Sequence, residues 1–550
     1  MIENNQVSRR TFMKTASAGM LGLAALGMAA GCAPTGQGMA DTNGGSGTGA
    51  PESWDGEYDF VVVGSGTALV GALTAASQGA KVAIVEKGKQ LGGTTRLSGA
   101  GAWVPKNQKQ VAMGLGEDLS DEEIMGYMEA CDVYNGSTRE TKQDYLDHAA
   151  AVFEWCEENL GMVLDSGLVG DYTSLPGSKR AGRSISPVDA NGEMIVGEQL
   201  FGDILIPQVE QNGVDTYLNT EATELVLGDG GAVVGVKAKD GSSDLFLKAD
   251  KGVLLGAGGF EHNDPMREAF MSVPLYGSLS VAENTGDGHR MGVAAGAALA
   301  NMEAYWGCPF YVLGDGAEMV ETATDWGDYA GLPGAIMVNA AGKRFTDESS
   351  GYPWMGMSFG AFDAKTCSVP NLPAYLVFDA DHVASFGWPA NEESQPEWLG
   401  EYATLEELAA GCGIDAAGLA AEVERYNGFC DTGVDEDFAR GKSNYTSLLE
   451  FSLPETPETP NIWLGKIATA PFYAVRVGPG TIGTCGGLDV NTDAQVLDYE
   501  GNPIEGLYSC GNNASNIFGS AYPGATATTG QGYYRGFKAA NHALNLGLLG

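Results

Sequence analysis

The strongest constraint on the fold lies between Tyr58 and Lys87, YDFVVVGSGTALVGALTAASQGAKVAIVEK. Asp59 to Val63 is an apolar run of strand length, and Gly64 and Gly66 follow where a tight turn lets backbone N–H groups approach a pyrophosphate. A helix predicted over Thr67 to Gln78, with Ala68 in its first turn, then presents its positive N-terminal end to that anion. Val82 to Val85 is the second strand, and Glu86 stands 22 residues beyond Gly64, where an acid meets a ribose hydroxyl. Strand, glycine turn, helix, strand and acid in this order predict a dinucleotide site. Leu69 departs from the fingerprint by replacing the third glycine, which usually lets helix and strand pack closely, so the helix is expected to lean on Gly71 instead.

A chain of 550 residues can bury a large core and is expected to hold two domains. Its formal charge of −41 argues against nucleic acid or an anionic lipid surface as partner, because both require concentrated Lys and Arg. The nine cysteines show no CxxC or CxxCH spacing, and the five histidines form no HExxH or paired array. No haem, zinc or iron–sulfur motif is therefore encoded, and no metal site is expected.

The N-terminus reads as an address. Ser8 to Lys14, SRRTFMK, resembles the twin-arginine export motif and precedes an apolar stretch, Ala18 to Ala30, too short to span a membrane. Ala29-Ala30-Gly31-Cys32 resembles a lipobox with Ala in place of the usual Leu, so lipidation of Cys32 and ordinary signal cleavage both stay open. Residues 1–31 are read as signal peptide and 32–56 as a flexible Gly/Ser/Thr-rich linker.

Beyond the fingerprint, Gly92 to Trp103 forms a second glycine-rich strip suited to lie against a flat ring. Ser120 and Glu123 make a capping box for a helix whose apolar stripe is Ile124, Tyr127, Met128 and Cys131. A further helix is expected over Gln143 to Asn159, a hairpin around Gly230-Gly231, a buried strand from Gly252 into AGGF, and a helix opened by Thr285-Gly286-Asp287-Gly288. From Asn301 the sequence becomes rich in aromatics, with glycine turns alternating with helices such as Thr404 to Ala410. The tail returns to strands and ends in a helix from Gly530. The expected fold class is α/β, a Rossmann-like dinucleotide domain (57–300 and 471–550) with an inserted α+β substrate domain (301–470).

Taken in order, the fingerprint, GGTTRLSGAGAW, LLGAGGFEHN, TGDGHRMG, VNAAGKRFTDES and GLYSCGNNASNIFGSAYPGATATTG resemble the FAD-dependent fumarate reductase flavoprotein superfamily, in particular its 3-ketosteroid 1-dehydrogenase branch. The resemblance spans Tyr58 to His542. It implies FAD as cofactor, held by Gly64, Gly66, Thr67, Ala68, Glu86, Lys87, Gly93, Thr94, Thr95, Ser98, Gly99, Ala257, Gly258, Gly259, Asp287, Gly511, Asn512, Ala527 and Thr528. The last helix would aim its N-terminus at the pyrimidine edge of the flavin.

The same resemblance implies catalytic roles for three tyrosines. Tyr352 would take the proton from the carbon next to a ketone, Tyr522 would hydrogen-bond the ketone oxygen, and Tyr127 would assist the base. Thr526 replaces a glycine whose N–H shares that oxygen, which keeps the donor but narrows the pocket, and Cys485 stands where relatives carry a basic residue. A free phenol has a pKa of about 10, so a tyrosine base needs neighbours that support its phenolate. The implied reaction adds or removes hydrogens across a C–C bond beside a ketone, on a ketosteroid or related enone, with an external protein or quinone as electron donor or acceptor. Two other readings stay open: a fumarate- or urocanate-type reductase of an unsaturated carboxylate, and an exported flavin electron carrier without an organic substrate.

Overall fold

The computed structural model describes residues 48–166, 170–313, 328–389, 392–441 and 461–549, all within one compact unit, Gly45–Gly550. The twin-arginine segment, Cys32 and the linker up to residue 47 lie outside the described residues.

The dinucleotide stretch builds the centre of a nine-stranded sheet. Gly56–Val63, whose last four residues form the unbroken buried apolar run of a parallel strand covered on both faces, is flanked by Val82–Val85 and Ser243–Leu255, both parallel to it. Asp215–Tyr217 and Pro503–Ser509 extend the parallel core on either side. Along its outer edge Ser243–Leu255 changes partner. Its first half pairs antiparallel with Val233–Asp240, and its last three residues pair parallel with the tail strand. The expected hairpin is present as Thr220–Leu227 and Val233–Asp240. The mixed α/β architecture with a Rossmann-like parallel core is thus as expected.

The helix Ala68–Ser77 buries all but its last residue and meets the C-terminal helix Ala527–Ala543 at a glycine contact. A Cβ on Gly71 would lie 2.7 Å from the Gly536 carbonyl oxygen and 2.8 Å from a Leu254 methyl. Gly71 thus supplies the close approach that Leu69, itself fully buried, cannot. The capping box of Ser120 and Glu123 opens Asp121–Cys131, and the four stripe residues are buried. The next helix is longer than expected, Arg139–Leu160, because Thr138 caps it one turn earlier.

The middle of the chain contains strands where the sequence suggested mostly helices and turns. Tyr305–Tyr311, Phe472–Thr484, Ala374–Asp379 and Ala335–Asn339 pair antiparallel in that order, and Gly400–Tyr402 joins the Phe472 strand beside Tyr305–Tyr311. Short apolar runs such as AIMVN and AYLVFD carry no alternation because both faces are covered. Met337, Leu376 and Val475 pack on one side with Met355 and Phe359, and Ile336, Val338 and Val377 pack on the other with Leu408, Leu419 and Val423. Phe472–Thr484 lies beyond residue 470, so this sheet continues past the expected edge of the inserted segment.

Candidate active site

A cavity of about 530 Å³ runs from the C-terminal ends of the parallel strands to the five-stranded sheet. At the fingerprint end it is bounded by backbone. Gly64 has φ +87°, and a Cβ there would lie 2.3 Å from the Gly256 carbonyl oxygen; one on Gly66 would lie 3.0 Å from Thr95 Oγ1. Thr67 precedes the helix without capping it through its side chain, which leaves the first N–H groups for an anion. Glu86 is buried and accepts hydrogen bonds from Ser65 Oγ (2.5 Å) and Gly88 N–H (2.7 Å), while Ser65 Oγ accepts one from Gly92 N–H (2.9 Å). Ser65 therefore ties the acid to the glycine-rich strip. Lys87 Nζ bonds Thr285 Oγ1 at 2.9 Å and Asp287 Oδ2 at 3.0 Å, joining the acid's neighbour to the TGDG turn. On the strip, Thr94 Oγ1 accepts from Val281 N–H and Asn284 Nδ2, both at 3.2 Å.

Most residues assigned to the cofactor line this cavity: Gly64, Gly66, Thr67, Glu86, Lys87, Gly93, Thr94, Thr95, Ser98, Gly99, Ala257, Gly258, Asp287, Gly511, Asn512 and Thr528. Ala68, Gly259 and Ala527 stand behind the wall. Ala68 packs under Gly256, where an added Cβ would meet its own Cβ at 2.4 Å; Gly259 abuts Glu261 and Thr484; Ala527 belongs to the core. Sequence reasoning missed Ser65, Glu221, Asn284, Leu279, Val281, Trp306 and Ile482. The x of G-x-G was a signal for Ser65. Trp306 and Ile482 carried none, because they come from strands the sequence reading did not find.

At the far end the cavity is walled by Leu279, Val281, Trp306 and Ile482, and three of the four residues assigned to chemistry meet there. Tyr352 opens the helix Tyr352–Ser358 and donates from its hydroxyl to that of Tyr522 at 2.7 Å. The rings lie 5.5 Å apart at 54°. Thr526 N–H donates to the Tyr522 hydroxyl at 3.1 Å. Thr526 is the N-cap of Ala527–Ala543 and adopts φ +66°, a left-handed conformation costly for a β-branched residue. Its Oγ1 donates to the Ala525 carbonyl, and its methyl leans toward Gly101, where an added Cβ would meet it at 3.1 Å. Because its side chain does not cap the helix, the positive helix end faces the cavity.

Tyr127 is not brought to this cluster. It is fully buried behind the wall, donating to the Pro523 carbonyl (2.5 Å) and accepting from Tyr172 N–H (3.0 Å). Burial and then the nearby charge of Asp171 push its phenol well above the usual range. Cys485 is likewise buried off the cavity, and burial raises its thiol.

A cradle that admits only glycine, two helix N-termini without side-chain caps, and an acid held against the fingerprint turn fit an FAD, and the polar cluster of Tyr352, Tyr522 and Thr526 lies beyond them in the same cavity. These features define a flavin-dependent oxidoreductase. A family model described as FAD binding domain matches residues 59–529, and the chain belongs to this family. It is 32% identical to the 3-oxosteroid 1-dehydrogenase of Mycolicibacterium smegmatis, over 88% of this chain and 96% of that protein. It is 31% identical to the 4-oxocyclohexanecarboxylate 2-dehydrogenase of Sinomonas cyclohexanicum, over 88% and 93% respectively. In structure it is similar to the 3-ketosteroid delta1-dehydrogenase of Sterolibacterium denitrificans in complex with 1,4-androstadiene-3,17-dione. That match has a TM-score of 0.77 at 30% identity and covers 89% of this chain and all of that one. The protein is an FAD-dependent oxidoreductase acting on CH–CH groups.

Proposed function

We propose that this oxidoreductase removes hydrogens across the C–C bond next to the ketone of a neutral cyclic substrate, a 3-ketosteroid or related enone, or adds them in the reverse direction. The observation that carries the reading is the hydrogen-bonded set of Tyr352, Tyr522 and the Thr526 N–H on an otherwise apolar wall. Tyr522 and Thr526 N–H, 3.1 Å apart, can share one carbonyl oxygen, and the helix behind Thr526 adds its positive end. Polarising that carbonyl acidifies the neighbouring C–H, and Tyr352, acting as the phenolate, takes the proton at its phenolic oxygen and so becomes the hydroxyl that donates to Tyr522. Leu279, Val281, Trp306 and Ile482 bind the rings and exclude water. Bound FAD supplies the acceptor, or in reverse the donor, of the hydride on the next carbon.

A carboxylate substrate is the weaker reading. Recognition of a carboxylate uses planar or clustered cations, and among the described lining residues the cation is Lys87, held by Asp287 near the fingerprint acid. The likeness to a 4-oxocyclohexanecarboxylate dehydrogenase keeps a keto acid as the second candidate, handled by the same ketone chemistry.

The reading assigns 57–300 and 471–550 to the FAD-binding domain, 301–470 to the substrate domain, whose sheet also takes in the strand Phe472–Thr484, and 1–31 to a twin-arginine signal. Cys32 is the candidate lipid-bearing residue, and an external protein or quinone exchanges electrons with the flavin. Replacing Arg9 and Arg10 by Lys should hold the protein in the cytoplasm, and Cys32→Ala should release it from the membrane fraction; unchanged fractionation rejects each assignment separately. The direction is tested anaerobically with a saturated and an unsaturated 3-ketosteroid. The first should bleach the oxidised flavin in a dehydrogenase, and the second should reoxidise reduced flavin in a reductase. Failure of both rejects the substrate class.

A further inference from the structure

The resemblance gives Tyr127 a place beside the base, but its hydroxyl is spent on backbone. It bridges the Pro523 carbonyl and Tyr172 N–H, one residue beyond Tyr522. We propose that Tyr127 is a positioning residue for the segment 522–526, acting on the carbonyl-holding groups through Pro523 rather than moving a proton for Tyr352. The inference rests on the reading of Tyr522 and Thr526 as the groups that hold the ketone oxygen.

The surroundings of Tyr127 form a built platform under that segment. Trp103 stacks with Tyr127 at 6.1 Å and 30°, and the Arg183 guanidinium lies 5.8 Å and 5.6 Å from the two ring centres. Arg183 is fully buried and pairs with Asp171 at 2.6 Å and Asp118 at 2.8 Å, while Trp103 Nε1 donates to Asp171 at 2.8 Å. Gly524 sits directly on Trp103: a Cβ there would lie 2.4 Å from the indole Cδ1. Ser184 Oγ donates to the Ala525 carbonyl at 3.0 Å, and Trp306 Nε1 to the Ala521 carbonyl at 3.2 Å. The segment that presents the Tyr522 hydroxyl and the Thr526 N–H is thus gripped at 521, 523, 524 and 525. A buried ion pair is retained at a cost in desolvation, and fixing one conformation is a use that offsets such a cost. The phenol of Tyr127, raised by burial and by Asp171, also stays protonated and so remains a donor to Pro523.

The test uses FAD-loaded protein and 1,4-androstadiene-3,17-dione, read by the change in flavin absorption on binding. Tyr127→Phe should weaken dione binding by roughly five- to tenfold, the size of one lost hydrogen bond. It should leave the pH profile of kcat in place and add less than about twofold in a Tyr522→Phe background, because effects acting through one group do not add. Gly524→Ala, which pushes the segment off Trp103 from the other side, should give the same pattern and stands in if Tyr127→Phe lowers FAD content. A proton-relay role predicts the opposite: a displaced limb in the pH profile, unchanged dione affinity, and effects that multiply with Tyr522→Phe. That result overturns the inference. If Tyr522→Phe alone leaves dione binding unaltered, it is the ketone-holding reading that fails.

Discussion

The two ends of the cavity are made differently. At the fingerprint end the wall is mostly backbone, contributed by Val63–Thr67, Gly93–Thr95 and Ala257–Gly258, and specificity comes from what glycine leaves open. At the tyrosine end the wall is side chains from distant segments: Leu279 and Val281 from a loop, Trp306 and Ile482 from the five-stranded sheet, Tyr352 from a short helix, Tyr522 and Thr526 from the tail. One end is organised around a single local stretch, Tyr58 to Lys87, that any dinucleotide enzyme of this fold can use. The other is assembled across the chain, so its chemistry can change without disturbing the first.

If the ends are separable, substitutions should divide cleanly between loss of cofactor and loss of turnover. The largest effect is expected at Gly66, where valine would fill the space against Thr95: Gly66→Val should yield protein without FAD, checked by absorbance and by reconstitution. Tyr522→Phe should keep FAD but lower kcat by roughly 10² to 10³, with loss of part of the flavin shift on binding a ketone. Tyr352→Phe should lower kcat by about 10² with ligand affinity nearly unchanged, since it removes the proton acceptor rather than the oxygen's donors. FAD loss from either tyrosine variant would break the separation. The smallest effect is expected at Thr526→Gly. Relief of the left-handed strain and the entropy lost with glycine offset to within about 1 kcal/mol, so unfolding should barely change. Its readout is specificity: bulkier ketones should gain kcat/KM while turnover of the native substrate holds.

The same contrast explains what the sequence disclosed. The fingerprint is local, so Gly64, Gly66, Glu86 and the bounds of Val82–Val85 could be read from spacing alone. Leu69 was a visible departure, and its remedy, Gly71 against Gly536, joins helices more than four hundred residues apart. The capping box of Ser120 and Glu123 was equally legible because it is a four-residue device. The five-stranded sheet was hidden because a strand covered on both faces loses the alternation that announces it. With it went Trp306 and Ile482. Tyr352 and Tyr522 were found only through the order of motifs along the chain; nothing in their local sequence brings two hydroxyls 170 residues apart to 2.7 Å. Tyr127 shows the converse. It lies on an apolar stripe like any core residue, and its buried hydroxyl serves a carbonyl rather than the cavity.

The tyrosine end works on a ketone. This is tested most directly by anaerobic rapid mixing of FAD-loaded wild type and a Tyr352→Phe/Tyr522→Phe variant with a 3-ketosteroid, in whichever direction the wild type supports. The wild-type flavin should change redox state on mixing, and the double variant, with full FAD, should do so at least about 10²-fold more slowly. A double variant that keeps the wild-type rate, or a wild type inert to ketones whose flavin turns over with an unsaturated carboxylate, would contradict it.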